Sequence, residues 1–208
     1  MATEKVLAYA LTTKNRVKDR LAITNTQFDT VIDRLISAMT DFIEGECNRR
    51  FQETVYSNEI YSIYGAYPET IGLKQTPVSN VASVQYRAGL KTTPNWTNFA
   101  ADDWELLEDG KSGIIKFYGG ITRGVNVIRV TYTAGYKIDF PNAGSATHTL
   151  PADLSDLAER IVVRVFEKRK AEGKETESFE GGTVSWAPLL DETDRAIIAR
   201  HRRLPQFV

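Results

Sequence analysis

The 208-residue sequence predicts an α+β fold that is predominantly helical: a helical bundle of about four helices, with an antiparallel β region inserted between helices 2 and 3. Three observations predict it. Apolar residues recur at helical spacing from Phe28 to Cys47 and again after Pro151. Between these stretches, from Gln52 to Tyr136, the chain is rich in Val, Ile, Thr and Tyr and is broken by Gly, Pro, Asn and Asp. A short pattern ending in arginines closes the chain after Asp191. The expected division is residues 1–51 for the N-terminal helices, 52–140 for the β region, and 141–208 for the C-terminal helices and a long loop that complete the helical domain.

Leu11, Val17, Leu21 and Ile23 form a short apolar stripe, which predicts a two-turn helix after Thr12 and Thr13. Thr26 is expected to start the second helix, with Asp29 three residues on in an approximate capping-box position. Phe28, Val31, Ile32, Leu35, Ile36, Met39, Phe42 and Ile43 give that helix one apolar face, and it should run to about Cys47. Asp29, Asp33, Arg34, Asp41 and Glu44 fall mostly on the other side. Strands are expected at Thr54–Tyr64, Pro77–Arg87, Trp104–Leu107, Gly113–Tyr118 and Val125–Ala134. In the last, Ile128, Val130 and Tyr132 share one face while Arg129 and Thr131 point to the other. Helix returns at Pro151, with Leu154, Leu157, Ala158, Ile161, Val162, Val165 and Phe166 as its apolar face, and should end near Gly173. Lys174–Leu190 is polar and Gly-rich and reads as a long mobile loop; a final helix from Asp191 is stopped by Pro205.

Composition narrows the function classes. Apolar residues at 42% and charged residues at 25% describe a globular chain, and a net charge of −1 supplies no global field toward DNA or a membrane. A single cysteine excludes an internal disulfide and a Cys-rich zinc site, and points to a reducing compartment, the cytoplasm by default. The N-terminus shows no convincing signal peptide, and no run approaches the roughly 18 apolar residues of a membrane helix.

FIEGECNRRF, Phe42–Phe51, sets the only cysteine beside two arginines and two carboxylates. Cys47 lies four residues after Ile43, so it continues the apolar face as a small hydrophobe. A nucleophilic role would need a base, and the two histidines, His148 and His201, occur in no recognisable cysteine-enzyme context. Arg49 and Arg50 close the helix where cations suit its dipole; their functional alternative is an inter-subunit or DNA contact. Lys168, Arg169, Lys170 and Lys174 form a second basic group with the same two readings.

The remaining motifs carry no chemistry. Gly110-Lys111-Ser112 lacks the earlier glycine of a phosphate-binding loop, position 105 being Glu, and strand rather than helix follows. GGITRG, Gly119–Gly124, is a turn between strands. Asp102, Asp103 and Glu105 read as a solvated acidic loop, and Tyr56, Tyr61, Tyr64 and Tyr67 as strand tyrosines rather than a base-stacking platform. No nucleophile, base and oxyanion site come together, so no catalytic residue, cofactor or metal is expected.

The order of motifs resembles a known family. LAIT before Thr26 and the Ile-Asp-Arg-Leu-Ile core of the long helix look like its opening, and CNRRF like its helix-end signature. QTPVSNVASVQ looks like its Pro-Val strand, and VTYTAGY followed by LPADL like its strand-to-helix return. Together they resemble the head–tail connector, adaptor or head-completion proteins of long-tailed bacteriophages and prophages, over nearly the whole chain.

That resemblance implies a structural virion protein at the head–tail interface, assembled in the host cytoplasm. It implies a homo-oligomeric ring, twelvefold by expectation, below the portal protein and above the next neck or tail-completion protein. Double-stranded DNA would pass non-specifically through its lumen, with no membrane involved. Arg200, Arg202 and Arg203 become the candidate portal contact. Arg49, Arg50, Lys168, Arg169, Lys170 and Lys174 become candidate inter-subunit or DNA-channel contacts. Phe179, Gly181, Gly182 and Trp186 mark a candidate loop that orders on assembly. A near-neutral chain suits a channel through which DNA must slide, because each neutralised phosphate adds affinity. The alternatives are another neck or tail-completion protein, and a small nucleic-acid-binding module built on the basic clusters.

Overall fold

The structure is a computed structural model that describes residues 9–64, 69–89, 94–142, 147–169, 176–179, 182–185 and 189–203. The chain divides into two compact units. One contains the residues up to Arg49 and Ile138–Arg203; the other is the continuous segment Arg50–Lys137.

The first unit holds four helices: α1 (Lys14–Leu21), α2 (Asp29–Cys47), α3 (Ala152–Lys168) and α4 (Glu192–His201). Thr13 caps α1, its hydroxyl accepting from the Arg16 N–H at 3.4 Å. α2 has no such cap. Phe28 precedes it without a side-chain bond, and Thr26 instead accepts the Asp29 N–H through its carbonyl at 3.1 Å, so the expected Thr26 start is a separate turn. The far end of α2 is a left-handed stop at Asn48 (φ 51°), where the Asn48 and Arg49 N–H groups satisfy the carbonyls of Gly45 and Glu44. Val17, Ile32, Ile36, Val162 and Phe166 form the buried core between α1, α2 and α3, with Phe28 edge-on to Phe166 at 5.4 Å. Two positions on α2 depart from the expected faces. Val31 is exposed, and Glu44 is buried and accepts from the Tyr9 hydroxyl.

The second unit is built from two antiparallel sheets. One joins β1 (Thr54–Ile63), β3 (Val78–Gly89), β4 (Pro94–Asn98) and β7 (Gly124–Ala134) in the order β1-β7-β3-β4. The other joins β2 (Thr70–Gly72), β5 (Trp104–Leu106) and β6 (Ile114–Phe117) in the order β2-β6-β5. Their apolar residues share one core: Tyr61, Val84, Ile128, Val130 and Tyr132 from the larger sheet, Ile71, Ile115 and Phe117 from the smaller. The alternation expected for β7 is present, with Ile128, Val130 and Tyr132 fully buried and Arg129 and Thr131 half-buried on the other side. Gly110 (φ +81°) passes so close to β3 that a Cβ would lie 2.0 Å from the Val78 carbonyl oxygen, so no other residue fits. β2 and β4 were not expected from the sequence; each is short and polar-flanked.

A third pairing occupies the segment expected to be a loop. β8 (Thr176–Phe179) pairs with β9 (Gly182–Ser185) in a two-stranded hairpin. These additions overturn the expectation of a predominantly helical bundle. Strands occupy about as much of the described chain as α-helices do, and the two larger sheets own a core of their own. The sequence reading underweighted them because a three-residue strand carries too little periodicity to register.

Candidate functional site

The C-terminal arginines meet the ends of two other helices. α4 begins with a reciprocal cap: the Asp194 N–H donates to Asp191 Oδ1 at 2.8 Å, and the Asp191 N–H donates to Asp194 Oδ2 at 3.1 Å. Two arginines of α3 clamp this cap. Arg160 Nη2 lies 2.9 Å from Asp194 Oδ1, and Arg164 bridges Asp194 and Asp191, the latter at 2.6 Å. Asp194 is fully buried, so its charge is held by these two guanidinium groups and by the backbone. The hydrogen bond from the Asp194 N–H, helped by Arg164 and Arg160, keeps the Asp191 carboxyl below its ordinary value.

About two turns further along α4, the basic end pairs again. Arg200 Nη1 and His201 Nε2 lie 3.1 and 2.9 Å from Asp153 Oδ2, in the first turn of α3. Burial works against that carboxylate, but the His201 hydrogen bond and the nearby charges win, and its pKa is lowered. Arg202 grips the end of α2, its Nε donating to the Glu46 carbonyl at 2.8 Å and its Nη2 to the Glu46 carboxylate at 3.1 Å. The Arg203 N–H donates to the Cys47 carbonyl at 2.9 Å. Glu46, Leu190, Arg195, Ile198, Ala199 and Arg202 line a cleft of about 400 Å³.

Cys47 itself is fully buried, and burial pushes its thiol up to about 11. It stays a neutral thiol at physiological pH, with its Sγ 3.8 Å from the Ile198 carbonyl oxygen. The histidines serve structure. His148 Nδ1 accepts the Asp139 N–H at 3.0 Å, and His201 holds Asp153. Among the described residues, no group of His, Cys, Asp and Glu could hold a metal ion.

The other candidate residues are distributed differently. Arg49 donates its N–H to the Glu44 carbonyl, and Arg50 donates its own to Gln75 Oε1 at 3.4 Å. Lys168 ends α3 and is half-buried. Arg169 lies with its guanidinium 3.5 Å from the centre of the Phe166 ring and 4.9 Å from that of Phe28, a tie between helices rather than an outward cation. Lys170, Lys174, Gly181 and Trp186 lie outside the described residues; Phe179 and Gly182 end and begin the strands of the hairpin. Arg200, paired to Asp153, and Lys168 are not one patch. Asp153 and Lys168 sit at opposite ends of α3, roughly 20 Å apart at 1.5 Å per residue. The sequence reading missed Asp194, Asp153, Glu46, Arg160 and Arg164. The Asp191-x-x-Asp194 spacing before a helical pattern was the one available signal.

The sequence model of the head completion proteins matches residues 10–204. The chain belongs to the head completion protein family. The motifs of the sequence imply the same family, which makes the chain a structural protein that completes the virion head. A solved structure of the neck of an empty gene transfer agent particle, computed with C6 symmetry, contains a chain of similar fold. The TM-score is 0.57 and the identity 17%, with 99% of this chain and 95% of that chain covered. A chain of a native gene transfer agent virion aligns with TM-score 0.49 and 17% identity over 86% of this chain and 80% of that one. No curated protein matches the chain.

Proposed function

We propose that this head completion protein acts as a homo-oligomeric ring below the portal, joining the DNA-filled head to the tail, with double-stranded DNA passing non-specifically through its lumen. The observation that carries the reading is the family match over residues 10–204. The fold likeness to a neck chain supports it. That neck was computed with C6 symmetry, which suits a ring of six or of twelve; twelve is the number proposed. Its partners are the portal protein above and the next neck or tail-completion protein below, and its role includes no catalytic step.

Arg200, Arg202 and Arg203 are the proposed portal contact. The Arg200 side chain remains 69% exposed while paired to Asp153, so it can meet an acidic partner without breaking its own helix contacts. Arg49, Arg50 and Lys168 are the proposed inter-subunit or channel cations. The hairpin Thr176–Ser185 is the proposed element that settles on assembly, since a two-stranded hairpin is marginal without a surface to pack on.

Electron microscopy of particles made without this protein tests the reading. DNA-filled heads lying apart from finished tails, and joined when purified protein is added back, are the expected outcome. Normal virions, or heads that never fill, would overturn it.

A further inference from the structure

We propose that the outer face of the β1-β7-β3-β4 sheet docks on the acidic segment Ala101–Gly110 of a second copy of this chain, head to tail. The proposal rests on the ring reading above and assigns surfaces to it.

The sheet face has an unusual charge balance. Its four strands contain one carboxylate, Glu59, and that side chain is turned into the core, accepting from the Tyr61 and Tyr132 hydroxyls at 2.5 and 2.6 Å. On the outer side, the Arg129 guanidinium lies 4.5 Å from the centre of the Trp96 ring, and its Nε donates to Gln85 Oε1 at 2.7 Å. Gln85 is held in turn by Asn98, to which its amide donates at 2.8 Å. Arg129 is therefore pre-positioned, and among the described residues no carboxylate pairs with it. Beside it, Ile60 pairs with Arg129 in register and is 42% exposed; further along β1, Val55, opposite Thr133, is 59% exposed. Arginine and tryptophan next to exposed β-branched side chains, without acids, is the composition of an interface centre.

The complementary surface belongs to the other layer. The segment ADDWELLEDG, Ala101–Gly110, surrounds β5 of the smaller sheet. Asp102, Asp103, Glu108 and Asp109 are exposed, and among the described residues none of them pairs with a cation. One chain thus carries an unneutralised arginine on the larger sheet and an unneutralised negative segment in the turns that flank β5 of the smaller. A contact of like patch with like patch would set equal charges together, whereas a head-to-tail contact sets opposite charges together and closes into a ring when the rotation allows.

Charge reversal tests the pairing. One variant carries Arg129→Glu; the other carries Asp102→Lys and Glu108→Lys. Each, with native circular dichroism, should self-associate at least tenfold more weakly than the wild-type chain in sedimentation. An equimolar mixture should recover assembly, because alternating copies again bring opposite charges together. Ile60→Glu provides an independent lesion on the same face, expected to weaken assembly likewise, should the arginine variant not fold. Either variant assembling like the wild type, or a mixture no better than its parts, overturns the pairing alone. Loss of duplex-DNA binding in the arginine variant with assembly intact also overturns it, and gives the face to DNA. A wild-type chain that stays monomeric at every concentration and on filled heads overturns the ring reading beneath it.

Discussion

In the helical unit the polar ties run between elements. Lys14 and Lys18 of α1 hold Asp33 and Asp29 of α2 at 3.0 and 2.8 Å, Arg20 holds Asp156 of α3 at 3.0 Å, and Arg160 and Arg164 hold the buried Asp194 of α4. In the β unit the principal polar hub is a carboxylate between two phenols. Tyr61 and Tyr132 both donate to Glu59, and their oxygens accept the N–H groups of Lys74 and Gln75 at 3.2 Å. The difference follows from the elements. Sheet strands are joined by backbone hydrogen bonds, whereas helices satisfy their own backbones and must be oriented by side chains.

The largest expected effect that sharpens this comparison is Asp194→Ala. It leaves Arg160 and Arg164 beside a vacant buried site, and should lower the stability of the helical unit by about 3–5 kcal/mol in denaturant titrations. A loss below about 1 kcal/mol would show that the clamp is ornamental. Next, Ile32→Ala in the helical core and Ile128→Ala in the β core should each cost about 2–5 kcal/mol, since both side chains are fully buried. An unchanged midpoint for either variant would break the claim that each unit has its own apolar core.

Tyr132→Phe should cost about 1–3 kcal/mol, because it leaves the Gln75 N–H without its acceptor and removes one donor from Glu59. The two units should also part in pH dependence. Asp29, Asp153 and Asp191 have lowered folded pKa values, so their contribution is present above the ordinary carboxylate value of 3.8 and is lost as pH falls through the folded values. Tyr61 and Tyr132 are raised by burial, so their contribution is present below the ordinary phenol value of 10.0 and is lost as pH rises above it. Helical signal lost first in acid and sheet signal lost first in base is the expected pattern; the reverse order would refute the contrast. The smallest effect is Arg200→Ala, at about 0–1 kcal/mol, because that pair is largely in water. If this variant abolishes attachment to heads while unfolding normally, the portal assignment gains its first direct support.

Local rules made several elements legible. The 3–4 spacing of Ile32, Ile36 and Ile43 needs one buried helix face, and the alternation of Ile128, Val130 and Tyr132 needs one buried sheet face. Those patterns located α2, α3 and β7, and the burial of Cys47 followed from its place on the same stripe. Nothing comparable marked the candidate contacts. Arg169 reads as a basic cluster member in the sequence, yet it folds over Phe166 and Phe28, residues that only the packing of α2 on α3 brings to it.

By itself, then, the amino-acid order determined where the long helices and the strongest strands lie, and through the sequence of its motifs it determined the family. Periodicity is a property of neighbours along the chain, so it survives without coordinates. The strand order β1-β7-β3-β4, the short strands β2 and β4, the hairpin and the share of the chain that is sheet were decided only by the tertiary structure. So were the Arg160–Asp194 clamp, the Glu59 hub and the opposed charge of the two β layers. Each depends on residues far apart in sequence coming within a few ångströms, and for a charge or a three-residue strand the local sequence is compatible with many partners.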